Sequence, residues 1–169
     1  MGKRVVMVIA PEGFRDEELF EPKEELEKAG HKVVVASRKT KIAKGMLGAT
    51  VPTDLDVNQV KLSDFDAIVF VGGSGSVVYH DDKYSHGLLR EAKQAGKIVA
   101  GICMATGTLA NAGVLEGNAT GWPTEKDKIN AHAKYTGKPV EVAAKGRVIT
   151  GYGPQAAREF GRAIAKALA

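Results

Sequence analysis

The chain predicts an α/β fold: a doubly wound three-layer sandwich around a mostly parallel sheet. Two patterns carry that expectation. Arg4 to Ala10, Val33 to Ser37, Ala67 to Val71 and Ile98 to Ile102 are short apolar runs without helical period, as expected of strands buried on both faces. Between them lie segments whose apolar residues recur at helical spacing, and strands alternating with helices close into a parallel sheet covered on both sides. With 169 residues, 44% hydrophobic and 26% charged, the chain suits one domain, 1–169, with a substantial core.

The first strand, Arg4 to Ala10, leads into the loop Pro11 to Arg15. Asp16 is placed to cap the next helix, whose acidic start Glu17-Glu18 suits the positive end of the helix dipole and which Gly30 stops after Ala29. Pro22 removes a backbone donor there and predicts a kink or a delayed regular helix. After the second strand, Ile42 to Asp54 contains Gly45, Gly48 and Pro52 and predicts short irregular strands in an excursion. The third strand ends on Gly72-Gly73-Ser74-Gly75. Next comes a helix with Leu88, Leu89, Ala92 and Ala95 on one face, closed by Gly96.

Ile98 to Ile102 then runs directly into Ala105 to Ala112, small or helix-favouring residues stopped by Gly113. Gly117 to Pro123 is rich in turn residues, and Thr124 to Asn130 predicts a capped helix. Val140 to Ala143 and Arg147 to Thr150 predict a hairpin. Ala156, Phe160, Ala163, Ile164 and Ala167 place one stripe of a C-terminal helix on the sheet.

Composition narrows the function classes. The net charge of +4 is spread along the chain. Its densest patch, Arg38, Lys39, Lys41 and Lys44, lacks interleaved aromatics and reads as a solvated loop, so no nucleic-acid partner is expected. The N-terminal apolar run has about seven residues before Pro11 and Glu12, too few for a signal peptide or a membrane span. A cytoplasmic protein without a membrane partner is therefore expected, and the sequon at Asn118 is expected to be silent. One cysteine cannot form an internal disulfide. With His31, His80, His86 and His132 it makes no metal-ligand spacing, so neither metal nor cofactor is expected.

That cysteine, Cys103, sits where the fourth strand meets its helix. A strand entering a helix through Gly-x-Cys-x-Ala forces the central residue into a strained turn that lifts its side chain clear of the sheet, a nucleophile elbow with sulfur in place of oxygen. The helix N-terminus favours thiolate, so Cys103 is expected to titrate below about 8.5. The alternative is a small buried hydrophobe. Loops leaving the carboxyl ends of parallel strands converge on one site, which would unite Glu17 and Glu18, Gly72 and Gly73, and Cys103. The first loop lacks a Gly-x-Gly-x-x-Gly turn, and Gly72-x-x-Gly75 lacks the Lys-Ser/Thr of a phosphate loop. The glycines there either open a backbone oxyanion hole or simply make a tight turn.

Glu18-x-x-x-Pro22 with Ala29-Gly30, Gly72-Gly73 after an apolar strand, Ala100-Gly-Ile-Cys103 with Ala112-Gly113-Val-Leu115, and Pro123-x-x-Lys126-Asp-Lys together resemble the ThiJ/PfpI superfamily. The resemblance covers nearly the whole chain. It implies a flavodoxin-like sandwich, a homodimer or higher homo-oligomer, Cys103 as nucleophile, Glu18 as the acid on its sulfur, and an oxyanion hole from the backbone N–H groups of Gly73 and Met104. Pocket candidates are Gly72, Glu17, His80, Trp122 and Tyr152. PfpI-type peptidases carry His directly after the cysteine, where this chain has Met104, and Ser76-Val77-Val78 stands where they carry the supporting acid. Deglycase-type members often have His at the position of Trp122 and Arg at that of Tyr152. Among the histidines, His31 is expected at the surface and His80, the best candidate base, in a solvated loop; His132 follows a helix without an evident acid partner.

A thiolate and a carboxyl of raised pKa can form and rearrange a hemithioacetal without histidine. The expected function is thus a glutathione-independent glyoxalase or a deglycase, acting on a small aldehyde or a glycated protein. The alternatives are a redox sensor or protective holdase using an oxidisable Cys103 and, less favoured, a PfpI-type peptidase.

Overall fold

The computed structural model describes residues 2–169, and Met1 lies outside them. Runs of Val and Ile become strands because branched side chains fit a pleated surface and stiffen few other rotamers there. The chain opens with β1 (Arg4–Val8), β2 (Glu12–Phe14), α1 (Asp16–Lys28) and β3 (Lys32–Ser37). An excursion follows, β4 (Ile42–Gly45), β5 (Thr50–Pro52) and β6 (Leu55–Asp56). The centre is built from β7 (Ala67–Phe70), α2 (Lys83–Gln94), β8 (Ile98–Ile102) and α3 (Thr106–Ala112). The last third holds β9 (Asn118–Ala119), α4 (Lys126–Asn130), β10 (Lys134–Tyr135), β11 (Val140–Ala143), β12 (Val148–Gly151) and α5 (Ala157–Leu168).

Seven strands form the central sheet in the order β11-β12-β8-β7-β1-β3-β6. Every neighbouring pair is parallel except β11 with β12, the expected hairpin. Alternation along the strands splits the core in two. Val6, Val8, Ile68, Phe70 and Val99 pack with Leu88, Leu89 and Leu109 on one face. Val5, Met7, Val69, Ile98 and Ile102 pack with Leu19, Leu26, Phe160 and Ile164 on the other. The flavodoxin-like α/β sandwich is therefore the observed fold. No helix among the described residues is long and apolar enough to cross a membrane.

Several local expectations change. Arg15, not Asp16, stands at the N-cap of α1 without a side-chain cap. The buried carboxylate of Asp16 instead accepts the Leu47 and Ala49 N–H groups, each at 3.0 Å. It thereby ties the turn between β4 and β5 to the start of α1, and β2 joins these two strands in a separate small sheet. Helix α1 continues through Pro22, which is buried and packs so closely on α5 that a Cβ at Gly161 would come within 2.6 Å of its Cα. Thr124 caps no helix: a 3-10 turn, Pro123–Glu125, precedes α4, and the Thr124 hydroxyl donates to Glu125 Oε2 at 2.6 Å. His31 is buried rather than at the surface, its Nδ1 accepting the Lys3 N–H at 3.0 Å.

Candidate active site

The carboxyl ends of β7 and β8 lie side by side, so Gly72-Gly73 and Cys103 leave the sheet as neighbours. Cys103 has φ +61°, a left-handed conformation that a side-chain-bearing residue adopts only under strain. A 3-10 turn, Cys103–Ala105, joins β8 to α3, which ends at Gly113 with φ +76°. The elbow is held from the side as well, since the Trp122 N–H donates to Cys103 O at 3.1 Å.

Glu18 approaches from the first turn of α1 and is fully buried. It meets Cys103 over Gly72, where a Cβ would collide with Glu18 Oε1 and come within 2.7 Å of Cys103 Cβ. Glycine at 72 is what allows carboxyl and thiol to be neighbours. Neither Glu18 oxygen has a well-aligned hydrogen-bond partner, so desolvation dominates and pushes the carboxyl up to about 8, against smaller lowering contributions from Cys103 and Arg15. Gly73, with φ +109°, fits against the backbone of Gly13 to Arg15, and the Arg15 N–H donates to Gly72 O at 2.8 Å.

Cys103 is 6% exposed. Burial pushes its thiol up, and a charge on Glu18 pushes it further; the backbone N–H groups of Met104 and Gly73 pull it down. The expected titration of the thiol below about 8.5 is therefore corrected: desolvation and the Glu18 charge outweigh the two N–H donors and raise the thiol above its ordinary value, because the elbow lies deeper than a helix N-terminus open to water. The two side chains form one coupled unit. With Glu18 protonated the repulsion vanishes and its O–H can donate to the sulfur. The pair thus sheds its first proton by about 8, whichever group then carries the charge.

Of the pocket candidates, Gly72 and Gly73 stand at the elbow with Met104. Glu17 turns outward and pairs with Arg15, Nε to Oε1 at 2.8 Å and Nη2 to Oε2 at 3.0 Å, which holds the Glu17 carboxyl below its ordinary range. Trp122 and Tyr152 are half-buried partners, ring centroids 5.5 Å apart. His80 is buried, not solvated, and its Nε2 lies 2.9 Å from Met104 O. It engages the elbow's backbone, and no hydrogen bond among the described residues joins it to Cys103. His132 is exposed at the end of α4. Sequence reasoning passed over Arg15, whose charge acts on both Glu18 and Cys103, although its place beside two glutamates at a helix start was a usable signal. It also passed over Glu125, buried beside His80, which carried no such signal. Among the described residues no group of acidic, His or Cys side chains is arranged to hold a metal.

A strained cysteine, a buried carboxyl and two backbone donors on this sandwich define a class of cysteine-centred α/β proteins. The model of the DJ-1/PfpI family matches residues 3–167, and the chain belongs to that family. It is 30% identical over 96% of its length to protein/nucleic acid deglycase 2 of Escherichia coli, covering 95% of that protein. Among solved structures, a ThiJ/PfpI domain protein from Brachyspira murdochii has TM-score 0.94 at 34% identity, with 99% of this chain and 96% of that one covered. DJ-1beta of Drosophila melanogaster has TM-score 0.90 at 31% identity, covering 100% and 91%.

Proposed function

We propose that the protein is a cysteine-dependent enzyme acting on small reactive aldehydes or on the adducts they leave on proteins. The observation that carries this reading is the buried Glu18 carboxyl, pushed up to about 8 beside Cys103, with no histidine among the described residues hydrogen-bonded to the sulfur. The deglycase names of several family relatives support it. The Cys103 sulfur adds to the aldehyde carbon of a dicarbonyl such as methylglyoxal, and the carbonyl π pair becomes an alkoxide that the N–H groups of Gly73 and Met104 stabilise. Glu18 gives its proton to this alkoxide, completing the hemithioacetal and leaving Glu18 as the carboxylate. Glu18 then removes the proton from the former aldehyde carbon and returns one to the adjacent carbon through an enediol. The resulting thioester is hydrolysed by water, releasing lactate and the free thiol. For a glycated side chain, the same addition would precede release of the amine.

Lactate formation from methylglyoxal, compared with Cys103→Ala, tests the proposal. Loss of turnover in the variant is expected; equal turnover would refute it. A second reading, a peroxide sensor or protective holdase, draws on the same pair, because a protonated Glu18 can hydrogen-bond a sulfinate on Cys103. Clean conversion of Cys103 to sulfinate at low peroxide, without aldehyde turnover, would select it. Cytoplasmic location belongs to the proposal, as does a homodimer or higher homo-oligomer, the latter on the strength of family resemblance.

A further inference from the structure

We infer that His80 and Glu125 are positioning residues that hold the nucleophile elbow in shape from behind, and that Gly107 is the gap in α3 that admits them. The inference rests on the reading of Cys103 as the reactive group. His80 Nε2 is 2.9 Å from Met104 O and 3.4 Å from Glu125 Oε1. Both neighbours are acceptors, so Nε2 carries a hydrogen and donates it to the Met104 carbonyl. That assigns His80 a donor's role at this nitrogen and removes it as the base.

Glu125 is 2% exposed. Its Oε2 accepts the Thr124 hydroxyl, while Oε1 has no hydrogen bond and lies 3.4 Å from both His80 Nε2 and Lys128 Nζ. A buried carboxylate oxygen without a hydrogen-bond partner is costly, and its place beside the imidazole orients the ring. The His80 backbone is itself anchored, its carbonyl accepting from His86 Nε2 at 2.7 Å and Asn111 Nδ2 at 3.0 Å. Glycine inside α3 weakens a helix. At 107, however, a Cβ would collide with Glu125 Oε1 and lie 3.0 Å from His80 Nε2.

The consequence reaches the thiol through the backbone. The strained Cys103 is followed by two carbonyls, its own and that of Met104. The Trp122 N–H holds the first and His80 holds the second, so the Trp122 to Glu125 segment grips both, one directly and one through the imidazole. With the His80 bond removed, Met104 O keeps only the turn's own backbone donors, such as the Thr106 N–H, and the turn can relax from its left-handed geometry. The Met104 N–H, which lowers the thiol's pKa, would then lose its aim at the sulfur. The charged groups facing Cys103 are Glu18 and Arg15, with Glu17 turned outward onto Arg15; those around His80 are Glu125 and Lys128, with Asp81 and His86 along its own segment.

The test is the pH dependence of iodoacetamide alkylation of Cys103 in the full chain, for the parent protein, His80→Leu and His80→Gln. The Gln amide can donate to Met104 O; Leu cannot. His80→Leu is expected to move the apparent pKa up by about one unit and slow alkylation about tenfold at pH 7, with His80→Gln within about threefold of the parent. A parental pH profile in His80→Leu, or equal impairment in His80→Gln, would overturn the inference. If His80→Leu does not fold, Gly107→Ala decides: it favours helix yet should slow alkylation by displacing the pair, and an unchanged rate overturns the proposal. Alkylation needs no substrate, so absent methylglyoxal turnover with a shifted profile would count against the proposed function and not against His80.

Discussion

Replacing Glu18 by Gln removes one ionisation from the core, and the structure sets the size of the response. The carboxyl is fully buried and pushed from its ordinary 4.5 up to about 8. At 1.36 kcal/mol per pH unit, that displacement corresponds to about 5 kcal/mol tighter proton binding in the folded state. This is an upper figure, since Cys103 shares the charge of the pair. Between about 4.5 and about 8 the native state holds more protons than the unfolded chain, so this contribution is complete below 4.5 and is lost as pH rises towards 8. The amide that replaces the carboxyl has no proton to lose over that range. Urea unfolding of the parent and Glu18→Gln, both in a Cys103→Ser background to uncouple the thiol, should therefore show the variant gaining on the parent by several kcal/mol between pH 4.5 and pH 8.5. A stability difference constant within about 1 kcal/mol across that range would mean that Glu18 is ordinarily hydrated and is not the proton shuttle.

Glu18→Asp shortens the reach to the sulfur by one methylene and should lower alkylation of Cys103 near neutral pH; full reactivity would disprove the direct contact. Gly72→Ala places a Cβ within 2.6 Å of Ile102 O and 2.7 Å of Cys103 Cβ. It should cost about 1–3 kcal/mol in urea unfolding and suppress Cys103 alkylation, and parental values for both would show that the loop yields freely. Phe160→Ala, at a side chain fully buried between α5 and the sheet, should lower stability by about 3–5 kcal/mol with little change in the alkylation profile. Peptide cleavage should stay near background, because a missing general acid costs about 10²–10⁴-fold and Met104 cannot supply one. Cys103-dependent cleavage of a fluorogenic peptide would refute this and assign the proton transfer to another residue.

The strands, the helices with their glycine stops and the elbow at Cys103 were legible because each depends on neighbours a few residues away. A continuous run such as Ile98 to Ile102 has one good fate in a parallel sheet, and a cysteine between that run and a helix start is forced into the turn. The two glycines after β7 were legible as a loop, yet only the fold shows that Gly72 must lack a Cβ so that Glu18 and Cys103 can meet. Polar residues were the hard part. Asp16 resembled a helix cap and became a tether for the β4–β5 turn; His80 resembled a loop histidine and became a buried donor beside Glu125. Periodicity and capping are local energies, written in consecutive residues. The burial of a charged or hydrogen-bonding group depends on which distant backbone closes over it. The same burial decides the protons, since desolvation at Glu18 and Cys103 outweighs the nearby helix end. The chemistry of the elbow therefore follows from local sequence in its geometry, and from the tertiary packing of α1, Gly72 and the Trp122 to Glu125 segment in its acidity.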